Sequence, residues 1–324
     1  MKTGIKGTGY YVPEKILKNS DLEKTVETTD EWITTRTGIR ERRIAAPGEH
    51  MTDMAVKAAE MAIKNSGLDR SKISLVITAT ITPDNPWPSA ATLIQKKLGL
   101  KNTPAFDMSA ACSGFIYGLD MAKAMVEAGG YENVLLIAAE KMSSITDWQD
   151  RGTCILLGDG AGAVIVGKVE SGGILSTVLY ADGSGREMLV QPAGGSDLPA
   201  TEETVKNRLH YLKMNGTEVY KHAIEKMPKA LQAAMDKAGI KAPDLDFVIF
   251  HQANLRIIES IIKKFGWPEE KNIVNIQKYG NTSAATIPIA LAEAIETGRI
   301  KKGSIVGMST LGAGFTWAGA VVTI

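Results

Sequence analysis

Cysteine is nearly absent from this chain: two residues in 324, Cys112 and Cys154. A pair cannot build the framework of a small disulfide-stapled fold, and beside 13 methionines it fits a reducing compartment. Long apolar runs are missing as well. No uncharged stretch approaches the ~18 residues a bilayer span requires. The opening Met1-Lys2-Thr3-Gly4-Ile5-Lys6-Gly7 has no apolar core of signal-peptide length. The expectation is a cytoplasmic protein without a membrane partner. There is little excess charge: 37 Lys and Arg against 36 Asp and Glu leave +1, so no basic field points to nucleic acid. Histidine is scarce, with four residues, and no pair of Cys or His has ligand spacing, so no metal site is expected.

What is present is length and repetition. A chain of 324 residues exceeds one simple core and suggests two domains or two fused halves. Lys72–Thr80 and Leu245–His251 both read as buried strands. Each is followed by a loop and an amphipathic helix, Ala90 to Leu98 in one case and Leu255 to Phe265 in the other. A strand, loop and helix around Cys112 then match Asn272–Ile276, the Tyr279-Gly280-Asn281 loop and a helix from Ala285 to Thr297. Glycines Gly129 and Gly298 end those helices, and strands Val134–Ala138 and Ser304–Met308 follow. Aligning Val134 with Ser304 sets an offset of 170 residues (134 to 304). Strands alternating with helices predict an α/β fold of mostly parallel sheets, as two packed halves related by a pseudo-twofold axis. The halves are 1–170, carrying Cys112, and 171–324, carrying His251 and Asn281. Residues 181–213 read as an insertion or lid, and 147–154 as a loop.

Cys112 is the first candidate for chemistry. It sits where a short apolar strand ends and a helix over about 113–128 begins, among Ser109, Ala110, Ala111, Ser113 and Gly114. A thiol at a helix N-terminus feels the positive end of the macrodipole, which favours the nucleophilic thiolate. On spacing alone a buried structural cysteine fits equally well. His251 follows a buried strand directly, at the strand end where parallel sheets gather active groups. Asn281 occupies the loop matching that of Cys112. A backbone-bonded core histidine and a turn asparagine are the plainer alternatives. The glycines of Gly158-Asp159-Gly160-Ala161-Gly162 precede a strand instead of opening a helix, so they suggest close packing more than a phosphate loop. Cys154, in an apolar run, reads as packing.

Together these residues resemble the β-ketoacyl-acyl carrier protein synthase III family over essentially the whole chain. The resemblance rests on Thr28-Thr29-Asp30-Glu31-Trp32-Ile33, Arg36-Thr37-Gly38-Ile39, the Cys112 loop and Gly158–Ala163. It rests equally on His251-Gln252-Ala253-Asn254, Tyr279-Gly280-Asn281-Thr282-Ser283 and Gly314-Phe315-Thr316-Trp317. Elongating relatives of this fold use Cys/His/His and thiolases a second cysteine; neither pattern fits Asn281. The resemblance implies a thiolase-like fold, layered αβαβα. It implies a decarboxylative Claisen condensation of a short acyl-CoA, acetyl-CoA above all, with malonyl-acyl carrier protein at the start of fatty-acid synthesis. Cys112 would carry the acyl group, and His251 and Asn281 would donate hydrogen bonds to the malonyl thioester oxygen. The backbone N–H groups of Cys112 and Ala313 would bind the acyl oxyanion, although the family usually has glycine at the Ala313 position.

By the same resemblance Trp32 and Arg151 would sandwich the CoA adenine, with Thr28 beside it and Arg36 on the phosphates. Gly216, Ala253 and Asn254 would line the pantetheine tunnel. Lys221, Arg256, Lys263 and Lys264 would steer the acidic carrier protein. Trp87, between Pro86 and Pro88, would cross a homodimer interface and close the partner's acyl pocket. No cofactor is implied, since the CoA thioester is a substrate. Three other readings remain open on the sequence. They are a thioesterase-like or secondary-metabolite acyltransferase using the same three residues, a papain-type Cys-His-Asn hydrolase, and a non-enzymatic acyl-CoA-binding module.

Overall fold

The computed structural model describes residues 1–324. Two sheets carry the architecture. The first holds β1 (Lys2–Tyr11), β2 (Leu75–Ala79), β3 (Ala105–Met108), β4 (Asn133–Lys141) and β5 (Asp159–Val169), in spatial order β1-β5-β4-β2-β3. The second holds β6 (Gly173–Ala181), β7 (Phe247–Phe250), β8 (Ile305–Gly312) and β9 (Thr316–Thr323), in order β7-β8-β9-β6. The main helices are α1 (Asp30–Thr37), α2 (Met51–Ser66), α3 (Ala90–Lys97), α4 (Gly114–Glu127), α5 (Gly216–Ala238), α6 (Leu255–Phe265) and α7 (Thr286–Glu296). No helix is long and apolar enough to cross a membrane.

Burial patterns assign the helices to layers. In α7, Thr286 through Ala292 are all buried, and α4 buries Phe115, Ile116, Leu119, Ala122 and Val126. Helices apolar nearly all round belong inside. Both share one core with the inner faces of the two sheets, where Leu136, Val164, Met308 and Ala320 meet Phe115, Ile116, Ile287 and Leu291. Helix α2 keeps a one-sided stripe, Met54, Ala55, Ala58, Ala59 and Ala62, against the outer face of the first sheet. Helices α5 and α6 cover the outer face of the second through Met227, Leu231, Met235, Ile258 and Ile261. Five layers result, αβαβα, as expected.

The repeat is tighter than its sequence suggested. Leu75 and Phe247, Gly114 and Thr286, and Asn133 and Ile305 open corresponding elements, each pair 172 residues apart (75 to 247, 114 to 286, 133 to 305). The expected offset of 170 was therefore two residues short. With the corrected register, Ala111 corresponds to Ser283. Both adopt left-handed backbone, φ 45° and 52°, in a single 3₁₀ turn ahead of the central helix. The same unusual turn is built twice.

Two other expectations are corrected. The sheets are mixed, not mostly parallel: only β2–β3, β2–β4 and β7–β8 pair in parallel. Helical crossovers connect those strands, whereas β8 and β9 are joined by the three residues Ala313–Phe315, and a tight turn joins only antiparallel neighbours. Asn272–Ile276 is not a strand matching β3. A single bridge, Val248 with Asn272, is all that forms. Beyond it the Gln252 side chain accepts the Asn275 N–H at 3.1 Å, taking the place a neighbouring strand would hold. The insertion at 181–213 contains only short elements. It is tied down by Asp147, which accepts from Arg208 Nε at 3.0 Å and Lys213 Nζ at 3.2 Å.

The glycine run at the start of β5 is a packing feature. A Cβ on Gly162 would lie 2.7 Å from Pro288 Cβ, and one on Gly158 would lie 2.4 Å from the Tyr279 carbonyl oxygen. Bare backbone lets α7 and the Asn281 loop approach the first sheet. Gly162→Val is expected to cost at least ~1–3 kcal/mol of stability through overpacking. A urea titration checks this: the midpoint should fall with little change in slope.

Candidate active site

Cys112 is held in place by the other half of the chain. Its loop leaves β3 and turns through Ala111–Ser113 before α4 begins at Gly114. From the second sheet, Thr310 Oγ1 donates to the Cys112 carbonyl at 3.0 Å and Thr316 Oγ1 to the Ala110 carbonyl at 2.9 Å. Ser113 Oγ in turn donates to the Thr316 carbonyl at 3.0 Å. Gly312 makes the approach possible, because a Cβ there would lie 2.7 Å from the Cys112 nitrogen.

The Asn281 loop is held reciprocally by the first half. Asn281 N–H donates to the Leu156 carbonyl at 2.8 Å, and Gly158 N–H to the Asn281 carbonyl at 3.0 Å. The Asn281 side-chain oxygen accepts the Ser283 N–H at 2.8 Å. Its amide nitrogen, a donor of two hydrogens, is the end left for a substrate. His251 follows β7 with its N–H on the Ser309 carbonyl at 2.9 Å. Its Nδ1 lies 2.7 Å from Thr286 Oγ1. Thr286 also has the Ser283 carbonyl at 3.1 Å, so its one hydroxyl proton has two acceptors within reach. Given to Nδ1, that proton leaves the ring hydrogen on Nε2, making Nε2 a donor.

Cys112, His251 and Asn281 line one cavity of about 520 Å³. Ala313, Gly216, Ala253 and Asn254 line it too. The rest of the wall is mostly apolar: Ile81, Met142, Ile145 and Leu157 come from the first half and Val219 and Tyr220 from α5. The insertion contributes Leu189, Val190 and Leu212, so it forms wall as well as cover. Ala313 escapes the backbone difficulty its side chain suggests. The left-handed residue of its turn is Gly314, φ 137°, and Ala313 is not among the residues of positive φ.

Electrostatics overturn one expectation. Burial pushes the Cys112 thiol up to about 11, and the nearby Glu140 carboxylate adds to the shift. With the pKa raised this far the resting group at neutral pH is a thiol, where the helix terminus alone argued for a thiolate. Its S–H donates to Ser283 Oγ at 3.6 Å. Burial also lowers His251 to about 3, which keeps the imidazole neutral over the working pH range.

The residues expected to bind the nucleotide end of CoA lie outside this cavity. Trp32, on α1, is flanked by the Arg36 guanidinium at 4.6 Å and the Arg151 guanidinium at 4.8 Å from its ring centre. Arg151 therefore sits against the indole, held by the Glu27 carbonyl at 2.9 Å. Beside them the buried Thr28 hydroxyl has no hydrogen-bond partner in the protein. Arg256, Lys263 and Lys264 are exposed on α6. Lys221 is exposed on α5 but paired with Glu218 at 2.7 Å, which offsets its charge. Trp87 is 83% exposed and does not line the cavity of its own chain.

Comparison with known proteins agrees with this geometry. Residues 106–183 match the family model for 3-oxoacyl-[acyl-carrier-protein] synthase III, and residues 235–324 match its C-terminal part. The chain is 52% identical over 320 residues to the beta-ketoacyl-[acyl-carrier-protein] synthase III of Caldanaerobacter subterraneus subsp. tengcongensis, covering 98% of this chain and 97% of that one. The chain belongs to the β-ketoacyl-[acyl-carrier-protein] synthase III family. The Chlamydia caviae enzyme of the same name is 50% identical, over 99% of this chain and 96% of that one. The crystal structure of 3-oxoacyl-[acyl-carrier-protein] synthase III from Aquifex aeolicus superposes with a TM-score of 0.92 at 47% identity, covering 99% of this chain and 100% of that one. The family is one of condensing acyltransferases with the thiolase fold, and this chain shares both.

Within that family frame, sequence reasoning missed several residues around Cys112. Ser283 was read only as the end of a motif. Glu140, Thr286, Thr310 and Gly312 were not singled out. Glu140 left a usable signal, a carboxylate closing an otherwise apolar buried strand at its carboxyl end. Gly312 left none, since its role depends on what approaches it. Gly312→Ala is expected to push the Cys112 loop out of place and lower the rate of Cys112 acylation at least tenfold while the fold survives. Single-turnover acylation beside a circular dichroism melt checks this; unchanged acylation would show that the loop absorbs a methyl group freely.

Proposed function

We propose that this chain condenses a short acyl-CoA, acetyl-CoA above all, with malonyl-acyl carrier protein to give 3-oxoacyl-acyl carrier protein, opening a round of fatty-acid synthesis. One observation carries the reading: a cysteine after β3, a neutral imidazole after β7 and a carboxamide from the loop ahead of α7 line the same mostly apolar cavity. In the first stage Cys112 sulfur attacks the thioester carbonyl and CoA leaves. Backbone N–H groups of Cys112 and Ala313 hold the oxyanion. A thioester intermediate suits the task, because sulfur is both a good nucleophile and a good leaving group.

In the second stage the malonyl thioester loses carbon dioxide, and negative charge grows on its carbonyl oxygen. Asn281 donates to that oxygen through its amide, and His251 through Nε2–H, in the tautomer in which Nδ1 accepts the Thr286 hydroxyl. Both donors are neutral, which suits a carbanion: neither is acidic enough to quench it before it attacks the acyl-cysteine. The mostly apolar wall excludes water that would protonate the carbanion or hydrolyse the thioester.

The remaining assignments follow the same reading. Thr28, Trp32, Arg36 and Arg151 take the nucleotide end of CoA, and Gly216, Ala253 and Asn254 its pantetheine arm. Thr28, a buried hydroxyl without a partner, supports this, since such groups ordinarily find one. Arg256, Lys263 and Lys264, with Lys221 weakened by Glu218, steer the acidic carrier protein. The chain works as two halves, 1–170 and 171–324, in a cytoplasmic homodimer without a resident cofactor. Trp87, left exposed between two prolines, is the side chain that would cross that dimer interface.

Two experiments test this. Incubation with acetyl-CoA should add one acetyl group to Cys112 by mass spectrometry, and added malonyl-acyl carrier protein should then yield 3-oxoacyl product. His251→Ala and Asn281→Ala should still acetylate, yet lose decarboxylation by ~10²–10³-fold. Equal loss of both stages would refute the division of roles. Trp87→Ala should lengthen the accepted primer. Burial of each added methylene is worth ~0.8 kcal/mol, so two or more should change the preference over tenfold. If the unmutated enzyme already favours primers of ten or more carbons, Trp87 does not close a pocket.

A further inference from the structure

The resting thiol of Cys112 has a proton to lose before it can attack, and the proposed function names no group that takes it. His251 is turned to Thr286, and Asn281 has no basic atom. The only hydrogen-bond partner of the sulfur is Ser283. The thiol donates to Ser283 Oγ at 3.6 Å, and Ser283 Oγ donates to Glu140 Oε1 at 3.1 Å. This is a continuous donor chain from the reacting sulfur to a buried carboxylate.

We propose that Glu140 is the proton acceptor for Cys112, acting through the Ser283 hydroxyl. This rests on the reading of Cys112 as the acylated nucleophile and adds the step that activates it. Ser283 touches the reacting sulfur and is a catalytic residue; Glu140 acts through it and is a positioning residue. As the sulfur attacks the acyl-CoA carbonyl, the thiol proton passes to Ser283 Oγ and the serine's own proton passes to Glu140. A carbon–sulfur bond to Cys112 forms, and the carbon–sulfur bond to CoA breaks. The departing CoA sulfur then takes a proton back from Ser283, which is reprotonated by Glu140. The enzyme ends acylated, CoA leaves as a thiol, and no other reactant is required.

The surroundings of Glu140 fit a base more than a fixed charge. Its carboxylate is wholly buried on β4. Thr82 Oγ1 donates to it at 2.6 Å, Thr80 Oγ1 at 3.1 Å and the Ile81 N–H at 3.1 Å. Those donors face Oε2, while Oε1 is turned to Ser283 with only a longer contact to Ile81 N–H, 3.3 Å. No ion pair holds the carboxylate, so burial raises it to about 7 in spite of its hydrogen bonds. A base of that strength is half available at neutral pH. Charged groups on the neighbouring elements are engaged elsewhere. Asp159 of β5 accepts from Ala45 N–H and Ser143 N–H, Lys141 Nζ donates to the Glu49 carbonyl, and Asp84 beyond β2 accepts from Thr52. His251 is bonded to Thr286, which leaves Cys112 as the titratable group electrostatically coupled to Glu140.

The left-handed backbone of Ser283 supports a functional role. Its counterpart Ala111 shapes the turn that presents Cys112, whereas Ser283 uses the same strained turn to present a hydroxyl to that sulfur.

Single-turnover acetylation of the full chain by acetyl-CoA, followed by mass spectrometry from pH 5.5 to 9, tests the proposal. In the unmutated enzyme the rate should climb to a plateau through an inflection near the Glu140 ionisation. Glu140→Gln and Ser283→Ala should each slow acetylation at pH 7 by ~10² or more. Both should lose the inflection, so that the rate rises about tenfold per pH unit as the bare thiol ionises. Decarboxylation of malonyl-acyl carrier protein by enzyme already acetylated should change less than threefold. Ser283→Ala leaves Glu140 in place and decides the matter if Glu140→Gln does not fold. Acetylation within threefold of the unmutated rate with the inflection retained would overturn the relay, as would equal loss of both half-reactions. Absence of any acetyl group on Cys112 of the unmutated enzyme would instead overturn the nucleophile assignment.

Discussion

The site depends on an exchange of hydrogen bonds between two loops, one carrying Cys112 and one carrying Asn281, across the pseudo-twofold axis. Thr310 and Thr316 of the second half fix the backbone that carries Cys112, and Leu156 and Gly158 of the first half fix the backbone that carries Asn281. Neither loop is held by its own half alone. Each of these bonds is an ordinary one, worth ~0.5–1.5 kcal/mol net. Their value is positional. A constellation placed to within half an ångström needs supports that are themselves locked, and here they are residues of β8 and β9 and the segment that leads into β5.

That exchange requires the halves to approach more closely than side chains usually allow. Glycine supplies the clearance at Gly158, Gly162 and Gly312, each of which faces backbone or a rigid proline ring. The largely buried helices α4 and α7 fill the layer between the sheets. The duplicated unit thus explains the chemistry as well as the architecture. Two copies of one turn-and-helix bring two left-handed turns together, one presenting the Cys112 thiol and the other the Ser283 hydroxyl beside it.

Burial then sets the protonation states. The cavity that shields the thioester also raises Cys112 and Glu140 and lowers His251. All three shifts favour the neutral form, as desolvation must. A neutral imidazole is a suitable donor to a growing enolate oxygen, whereas a neutral thiol is a poor nucleophile. In the proposed reaction the same low-polarity environment serves decarboxylation and obstructs acylation, and the proposed Ser283–Glu140 relay answers the second difficulty.

Much of this was legible in the residues themselves. Apolar periodicity marked α6 at 255–265, placed α4 and α7 to within a residue or two and revealed a repeat, because core faces are written locally. The motifs around Cys112, His251 and Asn281 singled out the three cavity residues. The register of the repeat, the antiparallel strands and the single bridge at Asn272 were not legible. They depend on which backbone groups find partners, and side chains such as Gln252 can take a strand's place. Nor could the sequence show a thiol where the helix terminus argued for a thiolate, since desolvation is a property of everything packed around an atom. Glu140 lies 28 residues from Cys112 along the chain and Ser283 lies 171 away (112 to 140, 112 to 283). Only the folding of both halves onto one axis puts them in a line, because hydrogen bonds act over a few ångströms in space and have no regard for distance along the chain.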